Sequence, residues 1–448
     1  MSLLRRYIGR GTFSNKVLTL FSGSAGAQLL IIAMAPVLSR LFTPEEFGVY
    51  YLFLGIGGIL SLIATGGFEK SYVLIESDKK ARRVLAFTLF LIFLSMLVFF
   101  IAAWLLDDAL GRIFNHKYKE TIIVLIPVYT TLVSILRVLQ HWEIRENRFS
   151  LHSGSNVSRA VLMSAGQLGT GLSGHTGTGL ISGAILGQIS GIIYLLAKKS
   201  AGTIRKSFDK LSLLYAAAKE YKAFPRFYMP SGLINEASIQ LPIFALKFFF
   251  STGLAGIYSL PHKVLSQPSR LLGYAVGEVY YRTASTELQA GRDISQLTLK
   301  VFRTLLLIGI LPFGILTAWG EQVFSFAFGP EWTESGEIAS YLSPWLLAVF
   351  AGSPVSYVFN LKNRLDLSFR LNLFVFAGRA LSLMAGFLIY GTLAPTIMFF
   401  SAFSLLSWII IIIISLKLAG VKSRQLAFSI LIILGLAISL VLTKVFLG

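Results

Sequence analysis

Charged and amide side chains recur at helical spacing inside two apolar stretches in the second half of the chain. In the stretch 253–279 they follow one another at steps of four, three, four and four, which places them on one face of a helix: Lys263, Gln267, Arg270, Tyr274 and Glu278. The preceding stretch carries Glu236, Gln240 and Lys247 at steps of four and seven. Two neighbouring helices are therefore predicted to present polar faces.

Ionisable residues inside an apolar span are costly and usually face protein or water rather than lipid. Two interpretations follow: the faces line a central cavity, or they form an interhelical network of ion pairs that only holds the helices together. Arg379 lies equally deep in a later apolar stretch. Basic residues outnumber acidic ones in this set, and Arg and Lys both bind phosphate oxygens well. An anionic substrate is therefore favoured.

The elements that carry these residues are predicted to be membrane-spanning helices. Of 448 residues, 55% are hydrophobic and 14% are charged, against about a quarter charged in soluble domains. Thirteen apolar runs are long enough to cross a bilayer as helices: 17–38, 47–69, 84–106, 120–141, 153–172, 177–197, 227–250, 253–279, 299–320, 338–359, 371–391, 395–416 and 426–446. The predicted class is an all-α polytopic membrane protein of about 12–14 spans.

Basic residues alternate between the connecting loops. The N-terminus and the even-numbered loops hold 29 of the 40 Lys and Arg, the opposite side holds five (four in the odd-numbered loops, and Lys444 near the C-terminus), and six lie within spans. Such a bias predicts a cytoplasmic N-terminus and explains the net charge of +19 without a nucleic-acid partner. Arg137 and Arg159 lie near span ends, where their side chains are expected to reach the interface.

The chain is predicted to contain two related halves. The basic segment 198–226 separates a six-helix bundle at 1–197 from a second at 227–416, with an additional helix within 417–448. Leu211, Leu214, Tyr215, Ala218 and Tyr221 predict an amphipathic helix on the inner leaflet. Residues 42–50 (FTPEEFGVY) resemble 250–258 (FSTGLAGIY) at an offset of 208. Six spans per half predict a parallel repeat around a central cavity.

Several functional classes are disfavoured. The chain has no cysteine and no Gly-Lys dipeptide, so thiolate metal sites and a Walker A motif are absent. Its five histidines lack ligand spacing, and we expect neither a metal site nor an organic cofactor. The odd-numbered loops are short, the longest being 321–337. A membrane polymerase or glycosyltransferase is expected to need a larger external domain, so we predict that the protein is not an enzyme.

Two sequence runs resemble a known family. Residues 38–50 (LSRLFTPEEFGVY) and 224–232 (FPRFYMPSG), continuing into 256–260 (GIYSL) and 263–268 (KVLSQP), are similar to signatures of the O-antigen type oligosaccharide flippases. These belong to the multidrug/oligosaccharidyl-lipid/polysaccharide exporter superfamily. The resemblance implies two six-helix bundles around a cationic cavity, and translocation of undecaprenyl-pyrophosphate-linked sugars across the bacterial inner membrane.

The resulting hypothesis is an inner-membrane flippase that works by alternating access. Lys247, Lys263, Arg270 and Arg379, with Gln267 and Tyr274, are expected to bind the pyrophosphate head, and Glu236 and Glu278 are candidates for coupling to H⁺ or Na⁺. Membrane lipids and polysaccharide-assembly proteins are the expected partners. The rival within the superfamily is a drug or cation antiporter, which the excess of basic residues disfavours.

Overall fold

The computed structural model describes residues 12–114, 118–174, 177–200 and 209–422, together with 425 and 435. These residues fold as helices and turns without strands, as the sequence predicts for a polytopic all-α membrane protein. The first half contains α1 to α8: Thr12–Leu38, Pro44–Thr65, Asp78–Leu105, Asp107–Phe114, Lys119–Arg145, Phe149–Leu172, Gly179–Leu195 and Leu211–Lys219. A 3-10 helix, Phe68–Leu74, follows α2, and π turns occupy Leu196–Ser200 and Phe224–Tyr228.

The second half contains α9 to α16. These are Met229–Phe249, Thr252–Pro268, Tyr274–Gln289, Ser295–Phe328, Thr333–Gly352, Val358–Leu361, Leu365–Tyr390 and Leu393–Leu418. Short 3-10 helices at Pro330–Trp332 and Val355–Tyr357 flank α13, and a π turn, Ser269–Gly273, joins α10 to α11.

Twelve of the thirteen predicted spans coincide with these helices; the thirteenth, 426–446, lies outside the described residues except for residue 435. Within the described part, seven helices are long and apolar enough to cross a membrane, and an eighth is added if the pair Pro330–Gly352 and Val355–Leu361, bent by 48°, is one span. Helices α6, α9 and α10 do not reach this standard, because they are short or carry polar residues.

The described helices group into two compact units, Met1–Gln240 and Leu241–Gly448. In the first unit, α5 packs against α2, α3 and α7, and α6 packs against α7. In the second, α13 packs against α10, α12 and α16, and α15 packs against α16. These helices therefore have the neighbours of their counterparts, which supports the predicted repeat. The domain boundaries at 197/198 and 226/227 stay predictions.

The repeated sequence at 42–50 and 250–258 forms the same local structure in both units. The hydroxyl of Thr43 accepts a hydrogen bond from the backbone N–H of Glu46 at the start of α2. The hydroxyl of Ser251 accepts one from the N–H of Leu254 at the start of α10. A side-chain cap satisfies a backbone donor that the helix leaves unpaired. The repeated sequence therefore encodes a capped helix start in both units.

The glycines of α7 are packing residues. A Cβ at Gly183 would lie 2.7 Å from the backbone nitrogen of Gln167, and one at Gly187 would lie 2.8 Å from the carbonyl oxygen of Arg159. Both contacts are with α6, and they are too close for any side chain. The prediction that spaced glycines permit close helix approach is confirmed at these two positions.

The linker helix α8 docks on α3 of the first unit. Leu214, Ala217 and Ala218 are buried there, while Leu211 and Tyr215 of the predicted amphipathic face are exposed. Lys80 Nζ lies 2.8 Å from Glu220 Oε2, and Arg83 Nη2 lies 2.7 Å from Asp209 Oδ2. The backbone N–H of Lys210, together with Arg83, holds the pKa of Asp209 below its ordinary value.

The predicted loop 321–337 is largely helical, so that expectation is wrong. Helix α12 continues to Phe328 with a kink at Trp319, and α13 begins at Thr333 after one 3-10 turn. Ser335 is fully buried, and its hydroxyl donates to the carbonyl oxygen of Ile257. Glu321 lies on α12, Glu331 lies in the 3-10 turn, and Glu334 and Glu337 lie on the first turns of α13.

Candidate functional site

The polar face predicted for residues 253–279 is divided by a π turn. Lys263 and Gln267 lie on α10, Arg270 lies in the π turn, and Glu278 lies on α11. Helix α10 runs through Pro261 without interruption, and the π turn begins directly after Pro268. Gln267 is buried, whereas Arg270 and Glu278 are exposed, so these residues do not share one environment.

Arg379 is held in a buried aromatic environment at the middle of α15. It is 8% exposed, and its guanidinium carbon lies 4.9 Å from the ring centroid of Trp345 and 5.8 Å from that of Phe400. Its Nε donates a hydrogen bond to Ser404 Oγ at 3.2 Å. Cation–π contacts stabilise a guanidinium most strongly where water is excluded. The charge is therefore fixed in position by three side chains from α13 and α16.

An aromatic stack connects this arginine to α10. The ring of His262 stacks between those of Tyr258 and Trp345, with centroid separations of 5.4 and 5.9 Å. His262 interacts electrostatically with Arg270, Arg379 and Lys263. Three of the four predicted cations therefore lie within electrostatic range of one imidazole in the second unit.

Sequence reasoning set His262, Tyr258 and Trp345 aside. The histidine has no partner at ligand spacing, and the tryptophan reads as a core residue. The one available signal was the four-residue spacing of Tyr258 and His262, which places both rings on the same face of α10.

The same region holds several buried polar atoms that lack a hydrogen-bond partner among the described residues. They are the hydroxyl of Tyr258, the indole Nε1 of Trp345, the amide Oε1 of Gln267 and the hydroxyl of Ser269. Buried polar groups are nearly always paired in folded proteins. Three of these four, the phenol, the indole N–H and the Ser269 hydroxyl, can donate a hydrogen bond, which suits a ligand rich in acceptor oxygens.

Three of the predicted cations, Lys247, Arg270 and Arg379, have no carboxylate partner in the part of the chain that the structure describes. Within the described residues, no ion pair involves Glu236 or Glu278 either. The network interpretation requires such pairs. The arrangement at Arg270 and Arg379 instead leaves positive charge in excess.

The remaining predicted residues belong to α9 and to the start of α11. Lys247 is half-buried near the end of α9. Glu236, in the first unit, accepts a hydrogen bond of 2.9 Å from Gln240 Nε2, and its carboxylate lies against Gly58 of α2. Tyr274 begins α11, and its side chain falls outside the described part.

A second arginine, half-buried, occupies the equivalent helix of the first unit. Arg159 of α6 interacts electrostatically with Tyr50 and Tyr129, much as Arg379 of α15 does with Tyr258. The expectation that its side chain reaches the interface overlooked this environment. The sequence held a signal, because 159–168 (RAVLMSAGQL) and 379–388 (RALSLMAGFL) share Arg, Ala, Ala, Gly and Leu at equal spacing.

The first unit also contains an acidic residue that sequence reasoning missed. Glu69, in the 3-10 helix, is 1% exposed, and its Oε2 lacks a hydrogen-bond partner among the described residues. The same is true of the buried Nη1 of Arg137 on α5. Tyr228 interacts electrostatically with both groups, so a buried acid and a buried base lie near one another.

No group of three or more His, Asp and Glu residues in the described ranges is arranged to hold a metal ion. The polar residues that the structure collects are cations, aromatic rings and hydroxyls. Such a set suits the binding of an anion rather than hydrolytic or redox chemistry.

Comparisons with known proteins agree with this description. Residues 37–337 match the family model described as "Polysaccharide biosynthesis protein". Lipopolysaccharide biosynthesis protein WzxC of Escherichia coli K12 is 23% identical over 365 residues, which cover 78% of this chain and 71% of that protein.

Two solved structures show the same fold. The lipid II flippase MurJ, in an inward closed conformation, superposes with a TM-score of 0.72 at 12% identity, covering 95% of this chain and 92% of that one. A multidrug resistance transporter of the MATE family, in an inward-facing conformation, superposes with a TM-score of 0.61 at 12% identity, covering 90% and 94%.

Proposed function

From the premise that the chain belongs to the polysaccharide biosynthesis protein family, we propose that it is a flippase for undecaprenyl-pyrophosphate-linked oligosaccharide. It moves the lipid-linked sugar from the cytoplasmic to the outer leaflet of the bacterial inner membrane by alternating access. The names of WzxC and MurJ, a lipopolysaccharide biosynthesis protein and a lipid II flippase, support this substrate class. The protein acts as a transporter rather than as an enzyme, and it needs no organic cofactor.

The observation that carries the proposal is the uncompensated positive charge around His262. Arg270 is exposed and Arg379 is fixed on Trp345, and neither is paired with a carboxylate among the described residues. A pyrophosphate head supplies the missing negative charge. Arg270 then binds phosphate oxygens with two parallel hydrogen bonds, while Lys263 and Lys247 act as point charges. The positive charge of Arg379, which lies against Trp345 of the aromatic stack, attracts the phosphate electrostatically without a direct hydrogen bond.

The orientation follows from the loops. The excess of Lys and Arg in the N-terminal segment and the even-numbered loops places them in the cytoplasm. The saccharide is expected to reach the protein on that side, where the enzymes that assemble it work. Polysaccharide-assembly proteins are its expected partners, and Glu236 and Glu278 remain the proposed groups for coupling to H⁺ or Na⁺.

A drug or cation antiporter is the second candidate, because the MATE transporters share the fold. A cationic drug would have to bind beside Arg270 and Arg379 without a neighbouring carboxylate, which is electrostatically unfavourable. Deletion of the gene distinguishes the two candidates: a flippase mutant loses surface glycan, whereas an antiporter mutant becomes sensitive to cationic drugs.

The direct test replaces Arg270. The variant R270A should lose surface glycan in the native host while the protein still accumulates in the membrane, because an exposed side chain contributes little to folding. R270K should retain part of the activity, since it keeps the charge but loses the planar pair of donors. R370A is the matched control, an exposed arginine on α15 of the same unit.

Surface glycan is measured by immunoblot, and protein level by an epitope tag. Normal glycan in R270A would remove Arg270 from the proposed mechanism. Loss of the protein itself would assign Arg270 to the fold instead.

A further inference from the structure

An apolar groove opens in the first unit where α1 and α6 end. It has a volume of about 290 Å³. One wall is Pro36 and Val37 of α1 with Leu41 of the following turn, and the other is Leu168 and Leu172 of α6. Arg40 is the sixth residue of the lining and its only charged one. The groove is separate from the aromatic and basic cluster of the second unit.

Glycines of α6 explain why the groove exists. At Gly171 a Cβ would lie 3.0 Å from both Leu41 and Phe42, so the turn after α1 rests directly on the helix backbone. At Gly169 a Cβ would meet nothing within 4 Å, so α6 has open space on that side. The end of α1 is fixed by the hydroxyl of Ser39, which donates to the carbonyl oxygen of Pro36 at 3.0 Å. The walls are therefore set by backbone packing.

The charge at the mouth of the groove is unusual for its location. Arg40 is exposed, and it is one of only four Lys and Arg residues in the odd-numbered loops of the sequence, against 29 in the N-terminal segment and the even-numbered loops. A cation at the end of an apolar channel is complementary to a molecule with an anionic head and an apolar tail. Hydrocarbon tails are as apolar as leucine, so moving a lipid tail from the bilayer to the groove walls contributes little binding free energy. Selectivity must then come from the contact between Arg40 and the head.

We propose that this groove binds a single-chain lipid that carries a phosphate head, with the phosphate on Arg40 and the first part of the chain between α1 and α6. A volume of about 290 Å³ holds about ten water-sized groups at ~30 Å³ each, which is enough for one short segment of a hydrocarbon chain. This identification rests on the proposed function, whose polyprenyl carrier has one chain and a phosphate. In the proposed orientation, the groove lies in the outer leaflet, where the carrier is released.

The proposal is tested by measuring lipid binding without transport. The purified full-length protein is titrated with undecaprenyl phosphate, undecaprenol or phosphatidylglycerol, and bound lipid is counted by native mass spectrometry. The phosphate-bearing single-chain lipid should bind at least about tenfold more tightly than undecaprenol, because a charge-assisted hydrogen bond to the guanidinium is lost in the alcohol.

Two variants and one matched control locate the site. R40Q removes the charge and V37W fills the groove, so each should weaken binding of undecaprenyl phosphate about tenfold. R112Q changes another exposed arginine in the odd-numbered loops that does not line the groove, and it should bind as the unmodified protein does. R40Q keeps the test decisive if V37W does not fold.

Equal binding by R40Q and R112Q would overturn the proposal. Displacement of undecaprenyl phosphate by an equal concentration of phosphatidylglycerol would assign the groove to bulk phospholipid and overturn the choice of carrier. The outcome is independent of the test of the proposed function, because R270A should lose glycan export and still bind the lipid. Binding of the lipid to a protein that exports no glycan would refute only the flippase proposal.

Discussion

The hydrogen bond between Arg379 and Ser404 can be tested with a single hydroxyl. Ser404 is fully buried on α16, and its Oγ accepts from Arg379 Nε at 3.2 Å. Ser404→Ala leaves a buried charged donor without this partner, at a cost of about 1–3 kcal/mol. Ser415→Ala on the same helix is the control, because Ser415 is also fully buried and its hydroxyl lacks a partner among the described residues.

The two variants delete the same atom from the same helix. The difference between their unfolding temperatures therefore measures the effect of losing the hydrogen bond between Arg379 and Ser404. Thermal unfolding in detergent should show Ser415→Ala at or slightly above the parent, since an unpaired buried hydroxyl is removed. Ser404→Ala should unfold several degrees lower, at about 2–4 °C per kcal/mol for a unit of roughly 200 residues. Equal unfolding temperatures would show that Arg379 is not held through this hydroxyl.

Three further results are expected. Arg270→Ala/Glu278→Gln should export no more surface glycan than Arg270→Ala alone, and recovery in the double variant would establish a structural ion pair between them. Single cysteines at the exposed positions Glu331 and Ser212 should differ in their labelling by an impermeant maleimide in intact cells: the first should react and the second should not. The reverse labelling pattern would show that the topology is inverted. The pKa of Asp209 is lowered in the folded protein, so its contribution to the docking of α8 is present above the ordinary aspartate pKa and is lost as pH falls through the lowered one. The protection of the α8 amides against hydrogen exchange, measured relative to the intrinsic rate at each pH, should therefore fall at acidic pH. Protection that does not change with pH would contradict the role of this contact.

Much of the helical framework could be predicted from the sequence, because a long apolar run in lipid satisfies its backbone hydrogen bonds by forming a helix. The capped starts at Thr43 and Ser251 and the close contacts of Gly183 and Gly187 were also accessible, since they depend on residues close together in the chain. The family resemblance came from the same short segments.

The environment of the candidate site could not be predicted in the same way. Trp345, Arg379 and Phe400 come from three helices, and no periodicity indicates that they meet. The π turn after Pro268 divided a face that regular helical spacing had predicted to be continuous. The segment 321–337 was predicted to be a loop, although α12 and α13 both extend into it.

The position of Arg379 also has a consequence for biosynthesis. An arginine at the centre of a single helix in lipid costs about 2.5–3.5 kcal/mol on the insertion scale, so α15 entering the membrane alone is disfavoured. Trp345 has already been synthesised when Arg379 emerges, but Ser404 and Phe400 follow on α16, after a connection of only two residues at 391–392. We therefore expect α15 and α16 to enter the bilayer together as a hairpin, against an α13 that is already in place.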